Sequence, residues 1–360
     1  MDGGIGGSGG TWDIGRLLQS GRSVPNGITA WARPRTGRYT PGTMARTELP
    51  DARVSPRFAG VCTFGRYPRL EDVGPAGRPV DWAIFGVPFD GGVTFRPGAR
   101  FGPRAVRDAS QYLKRYHLGH RVDVCEALSL TDAGDAPIKP YGIKATLDAV
   151  AAWATSLADP GTRLMAVGGD HSVAYANIRA TWERRGKPKG GLALVHFDAH
   201  LDTVDAVWGE SWGHASPFRR AIEDGLIDPK AMISLGVRGP LNTPTDLDFA
   251  AKAGVRLVSI DEARASGAAL LAAYVKALGG REAYVTVDID VFDPSVAPGT
   301  GTPCPGGLSA NEGFALLRAL RGLHLAGADV VEVLPDRDVS GMTAMLAAHV
   351  MFEVLALSAS

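Results

Sequence analysis

Cysteine is scarce in this chain: Cys62, Cys125 and Cys304 are all that 360 residues contain. So odd and widely spaced a set excludes a disulfide framework and a structural zinc site. A reducing compartment, the cytoplasm by default, is expected. An excess of charge of one sign is missing too. Lys+Arg and Asp+Glu both number 38, so no basic footprint exists for nucleic acid or for an anionic membrane. No apolar run nears the roughly 20 residues that a bilayer span needs. The N-terminus shows no charged stretch leading into an apolar one, so no secretory signal is expected. Internal repeats are not evident either. What is there suits a water-facing globular chain: 45% hydrophobic and 21% charged residues, enough for the core of a large α/β domain.

The first 55 residues read differently from the rest. "MDGGIGGSGG" is glycine-rich, and "ARPRTGRYTPGT" is rich in Arg, Pro and Thr. Neither is periodic, so residues 1–55 are expected to form a flexible or subunit-packing arm, with a short helix in "WDIGRLLQSG". The Gly-x-Gly spacings there follow no strand and do not make a dinucleotide loop. Residues 56–360 are expected to form one catalytic domain. In it, apolar β-branched runs at 80–87, 126–133, 163–169, 191–197, 231–237, 255–260, 283–289 and 328–333 read as strands. Helical stretches such as 142–158, 173–185, 263–278 and 309–321 alternate with them. That alternation predicts a three-layer α/β/α sandwich around a mainly parallel eight-stranded sheet.

Such sheets bind ligands beyond the carboxyl ends of their strands, and the acids gather there. Strand 163–169 is followed by Asp170, His171 and Ser172; strand 191–197 by Asp198, His200 and Asp202. Asp288 and Asp290 stand at the end of strand 283–289, two apart and so on one side of a strand. Glu332 is carried by strand 328–333. One such acid is ordinarily a cap, and Asp170 and Ser172 can be read that way. Five carboxylates and two imidazoles on one rim repel each other unless cations compensate them. Mixed imidazole and carboxylate donors suit Mn²⁺, Fe²⁺, Co²⁺, Ni²⁺ or Zn²⁺ rather than Ca²⁺ or Mg²⁺. Six ligands exceed what one tetrahedral ion with an open position takes, so two ions fit better. A single-zinc, deacetylase-like site would not need Asp202 together with Asp288 and Asp290. His117, His120, His324 and His349 read as structural. His196 points away from the Asp198 side and reads as core or as support.

The stretches "GGDHS" (168–172), "FDAHLD" (197–202), "GHASPF" (213–218), "VDIDVFDPSVAPGTGTPCPGG" (287–307) and "VVEVLP" (330–335), with "GVPFDGGVTFRPGARFGPRAVR" (86–107), resemble the ureohydrolase (arginase/agmatinase) family. The upstream stretch looks more like the agmatinase branch. The resemblance implies the same sandwich, usually in trimers or hexamers. It also implies two divalent ions, manganese most often. His171, Asp198, Asp202 and Asp288 look like ligands of one ion. Asp198, His200, Asp288 and Asp290 look like ligands of the other. Glu332 matches the acid that holds a substrate guanidinium, His214 the proton-shuttling histidine, and Asp290 an acceptor for the attacking water. The implied activity is hydrolysis of a small cationic guanidino compound to urea and an amine.

Departures bear on the substrate. Leu201 replaces a small or polar residue, and "HASPF" replaces His-Gly-Thr-Pro-Phe. The loop "TVDAVWGESWG" lacks the Asn and Ser groups with which arginases hold an α-amino acid. It carries Asp205, Trp208, Glu210 and Trp212 instead, which either face a cationic substrate or pack the loop. Agmatine or a similar ω-guanidino compound is expected. Guanidine or a biguanide such as metformin, with nickel, is the alternative, and guanidinobutyrate and guanidinopropionate come behind. All six ligand positions are filled, which favours an active chain over a purely supporting subunit. A related partner subunit or a metal-loading helper remains compatible with the sequence.

Overall fold

The computed structural model describes residues 45–74 and 77–360. The arm up to residue 44, with its expected short helix, lies outside the described residues. Eight strands form one sheet: β1 (Trp82–Gly86), β2 (Leu130–Asp135), β3 (Arg163–Val167), β4 (Leu192–Phe197), β5 (Ile227–Val237), β6 (Arg256–Ser259), β7 (Glu282–Asp288) and β8 (His324–Val331). Their order across the sheet is β2-β1-β3-β8-β7-β4-β5-β6, and every pairing is parallel. All six residues of β4, "LALVHF", are buried, as expected for a strand covered on both faces.

Nine helices are found among the described residues. They are α1 (Gly102–Ser110), α2 (Val124–Ala127), α3 (Ile143–Ser156), α4 (Val173–Arg184), α5 (Pro217–Glu223), α6 (Asp248–Ala253), α7 (Ile260–Leu278), α8 (Ala310–Arg318) and α9 (Met342–Ser358). Two cores result. On one face, Val106 of α1, Leu271 of α7, Leu316 of α8 and Met351 of α9 pack with Val195 and Val285 of the sheet. On the other, Leu147 of α3, Ile178 of α4, Phe218 of α5 and Ala250 of α6 pack with Leu194 and Tyr284. The strands alternate between these two sets because successive side chains point to opposite faces. The sandwich predicted from the sequence is therefore the fold. No helix among the described residues is long and apolar enough to cross a membrane.

Boundaries moved where local capping won. Residues 126–127 are not strand: the Asp123 carboxylate accepts from the amides of Cys125 (3.1 Å) and Glu126 (3.0 Å) and starts α2. β6 stops at Ser259 because its side chain accepts from Glu262 N and caps α7. Most consequential is β8, which starts at His324 and ends at Val331. Glu332 thus stands just beyond the strand rather than on it.

Candidate active site

The sheet order explains the gathering of acids. His171 follows β3, Glu332 follows β8, Asp288 ends β7 and Asp198 follows β4, and these four strands are neighbours in that order. Their ends are level: Val167 pairs with Val330, Val331 with Asp288, and Phe197 with Val287. The two-residue spacings act through turns and not, as read from the sequence, through strand alternation. Asp198 Oδ1 accepts from His200 N (2.6 Å), and Asp288 Oδ1 accepts from Asp290 N (2.8 Å) to cap the turn Ile289–Val291. Each aspartate folds the chain back so that its second neighbour returns to it.

Two groups of donors result. His171 Nδ1 lies 2.8 Å from Asp202 Oδ2, 3.1 Å from Asp198 Oδ2 and 3.3 Å from Asp288 Oδ2. His200 Nδ1 lies 3.0 Å from Asp290 Oδ2 and 3.3 Å from Asp198 Oδ1. Asp198 belongs to both. The far nitrogen of His171 meets Thr286 Oγ1 at 2.8 Å, and that hydroxyl spends its one proton on Asp329. Thr286 must then accept from His171 Nε2–H. If the ring is neutral, Nδ1, which is buried, turns a lone pair toward three carboxylates. A lone pair among carboxylates is repulsive unless a cation sits between them. His/Asp donors in this number fit two divalent transition-metal ions. His196, also buried, meets Asp198 Oδ2 at 2.8 Å and Ser234 Oγ at 2.9 Å, so it steadies the shared acid.

With protons as the compensation, the charges are forced into unusual states. Burial, then the charges of Asp290 and Asp198, push Asp288 well above the carboxylate range. Burial and Asp198 raise Asp290. Burial opposes a charge on His171, but hydrogen bonds with Asp198, Asp202 and Asp288 outweigh it and raise that pKa well above its usual value. Acids pushed up beside an imidazole pushed up mark a site built for more positive charge than side chains supply.

Glu332 and His214 close the site. Glu332 is buried at the end of β8 with a left-handed backbone (φ 65°), and Asp202 is left-handed too (φ 51°). Both are strained for residues with a side chain. Glu332 Oε1 accepts from His171 N (2.9 Å) and meets His214 Nδ1 at 2.8 Å, while Oε2 is buried and unpartnered. His214 Nε2 faces the Thr94 amide at 3.0 Å and the Thr94 hydroxyl at 2.7 Å. The neutral ring accepts from the amide; the charged ring can donate to the hydroxyl. Burial alone would lower the His214 pKa, but the Glu332 carboxylate pushes it up to about 9. Thr94 is brought there by glycine. A Cβ on Gly169 would lie 1.6 Å from Phe89 O, so only glycine lets the 88–94 segment lie on the end of β3. Asp170 then fixes that segment by accepting from Gly92 N (2.7 Å).

A cavity of about 120 Å³ opens over His200, Asp202, His214 and Asp288, bordered by Leu201, Val204, Leu241, Asn242, Asp246 and Thr302. Asn242 and Asp246 were missed in the sequence. The Thr243–Asp246 capping box is legible there, but not that it faces the cavity. Of the loop acids and indoles, Asp205 pairs with Arg219 and Arg220, Glu210 accepts from Trp212 N, and Trp212 meets Tyr175 edge to face, while Trp208 is 85% exposed. None of the four borders the cavity.

A third gathering, His117, His120 and Glu353, lies elsewhere. His117 Nδ1 accepts from His120 N (3.1 Å), so its proton is on Nε2, which donates to Glu353 (3.2 Å). With His120 and Arg318 also on Glu353, hydrogen bonds close this cluster. These contacts are in keeping with the structural reading of the two histidines.

The model of the arginase family matches residues 80–357. The chain belongs to the arginase family. A guanidinopropionase of Pseudomonas aeruginosa is 43% identical over 311 residues, covering 86% of this chain and 95% of that one. An agmatinase of Chromobacterium violaceum is 38% identical, covering 89% and 95%. The solved structure of proclavaminate amidinohydrolase from Streptomyces clavuligerus superposes with a TM-score of 0.78 at 40% identity, covering 85% of this chain and 99% of that one. As an arginase-family member with agmatinase-like relatives, the protein is a hydrolase of guanidino carbon–nitrogen bonds. The family works with a binuclear divalent metal centre, and the His/Asp gathering fits that use.

Proposed function

We propose that this protein hydrolyses an ω-guanidino compound to urea and an amine, with agmatine or a similar amine-tailed compound as substrate. The observation that carries the reading is His171 Nδ1 within 3.3 Å of three buried carboxylates, with Glu332 Oε2 buried and unpartnered. His171, Asp198, Asp202 and Asp288 would hold one ion, and Asp198, His200, Asp288 and Asp290 the other. Mn²⁺ is the first expectation and Ni²⁺ the alternative. When bound, such ions compensate the carboxylates and supply a water acidic enough to attack near neutral pH.

The chain's own groups do the rest. Glu332 Oε2 accepts from the planar guanidinium and orients it. Asp290 accepts a hydrogen bond from the attacking water. Water adds to the guanidinium carbon and gives its two protons up to the departing nitrogen, one of them by way of His214; the carbon–nitrogen bond to the tail breaks, and urea and the protonated amine leave. Asp246, whose Oδ2 accepts from the amides of Asn242 (2.9 Å) and Thr243 (3.2 Å), adds a negative charge at the cavity border. That charge supports an ammonium tail over a carboxylate one. A second reading, a carboxylate tail, is favoured by the 43% identity to a guanidinopropionase. The protein is further proposed to work in the cytoplasm as a homotrimer or hexamer. Residues 56–360 would be its catalytic domain and 1–55 an arm.

The test is urea release from agmatine, guanidinobutyrate, guanidinopropionate, guanidine and metformin by protein loaded with Mn²⁺ or Ni²⁺. Turnover of agmatine above the acids supports the proposal. Turnover of an acid above agmatine shifts it to the second reading, and no urea from any of the five refutes it.

A further inference from the structure

The His200 ring has a partner that no part of the proposed reaction uses. Its Nδ1 faces Asp290 and Asp198. To offer a lone pair there, the ring must carry its proton on Nε2, and Nε2 then needs an acceptor. The atom in reach is Cys304 Sγ, at 3.6 Å. His171 is arranged in the same way through Thr286 and Asp329, so each imidazole has one outward partner. The sulfur's place is set by Arg238. Its guanidinium donates to Cys304 O (Nε at 3.2 Å, Nη2 at 2.7 Å), and the same Nη2 donates to Asp290 O at 2.7 Å. One side chain thus ties the backbone behind the thiol to the backbone of an acid that faces His200. Gly239 completes the arrangement: a Cβ there would lie 2.7 Å from His200 Cδ2 and 3.1 Å from Nε2. The ring therefore lies too close to Gly239 to leave room for a side chain there. Cys304 itself is buried and unpaired.

We infer that Cys304 is a positioning residue: its thiol accepts from His200 Nε2–H and thereby sets how firmly the ion on the His200 side is held. The inference rests on reading His200 as a metal ligand. Partners behind metal-bound histidines typically change metal affinity about 10–100-fold when removed.

The experiment loads the full chain with two equivalents of Co²⁺ per chain, then titrates with a chelator. Metal content and the visible Co²⁺ spectrum are followed for wild type, Cys304→Ala and Cys304→Ser. Wild type should retain two ions. Cys304→Ala should release one of them at about 10–100-fold lower chelator, with a changed spectrum for that equivalent and the other ion unaffected. Cys304→Ser, which keeps a polar acceptor, should recover part of the loss. Cys304→Ala indistinguishable from wild type in release and spectrum overturns the inference while leaving the two-ion reading intact. Release of both ions together from Cys304→Ala, or no recovery in Cys304→Ser, overturns it as well. Wild type holding a single ion refutes the two-ion reading and this inference with it.

Discussion

Asp198→Asn is the sharpest perturbation of the proposed centre. Asp198 is fully buried and touches three imidazoles: His171 at 3.1 Å, His196 at 2.8 Å and His200 at 3.3 Å. Burial opposes its charge, but hydrogen bonds from His171, His196 and His200 hold its pKa well below the carboxylate range. Asparagine keeps the volume and one oxygen but removes the charge shared by both proposed ions. An ion supplied at 100 times its Kd stabilises the native state by about 2.7 kcal/mol, so two give about 5 kcal/mol. For a chain of this size that is a rise in Tm on the order of 10 °C. Wild type stripped by chelator and reloaded with Mn²⁺ should show that rise in a thermal scan. The variant should show less than half of it, retain fewer than two ions per chain, and release urea at below about a thousandth of the wild-type rate, a barrier increase of ~4 kcal/mol. A wild-type Tm indifferent to metal, or a variant that keeps two ions and full turnover, would refute the shared role of Asp198.

Three further outcomes are expected. His214→Asn should lower kcat by roughly 10²–10⁴. Since the wild-type pKa sits at about 9 against a usual 6.5, the proton is present below that pH and lost above it, so an alkaline fall in rate should disappear in the variant. Asp246→Asn should improve use of guanidino acids relative to agmatine by about fivefold, or ~1 kcal/mol; an unchanged kcat/KM ratio would remove Asp246 from selectivity. Burial would raise the Glu353 pKa, but hydrogen bonds from His117, His120 and Arg318 depress it well below 4.5. Its stabilisation is therefore complete above pH 4.5 and lost as pH falls through the lower folded value. Glu353→Gln should cost about 2 kcal/mol near neutral pH and flatten the acid-side loss in a denaturant titration.

The eight strands were legible because buried parallel strands leave unbroken apolar runs between turn residues. The same runs placed Asp198, His200 and Asp288 at strand ends. Their convergence was legible only in part. No periodicity reveals that β3, β8, β7 and β4 are neighbours, since that order is set by long-range packing. Glu332 was assigned to a strand because it sits within the β-branched run "ADVVEV", yet the backbone turns left-handed there (φ 65°) and Oε1 accepts from His171 N. Trp208 and Trp212 left two readings open for the converse reason. Indoles beside acids carry the same composition whether they face a ligand or, as Trp212 does on Tyr175, a neighbouring ring. Cys304 carried no signal at all, because its meaning lies in the 3.6 Å approach to a histidine 104 positions earlier.

The acids and imidazoles stand at or just beyond the ends of four central strands, whereas much of the cavity border beside them comes from other pieces: Val204, Leu241, Asn242, Asp246 and Thr302. Under the proposed function, breaking the bond and choosing which molecule brings it would fall largely to different stretches of chain. An engineer could rewrite residues 240–246 wholesale, changing the tail that is admitted, and leave every buried carboxylate standing where it is. The sheet behaves as a fixed anvil, and the border as a replaceable die.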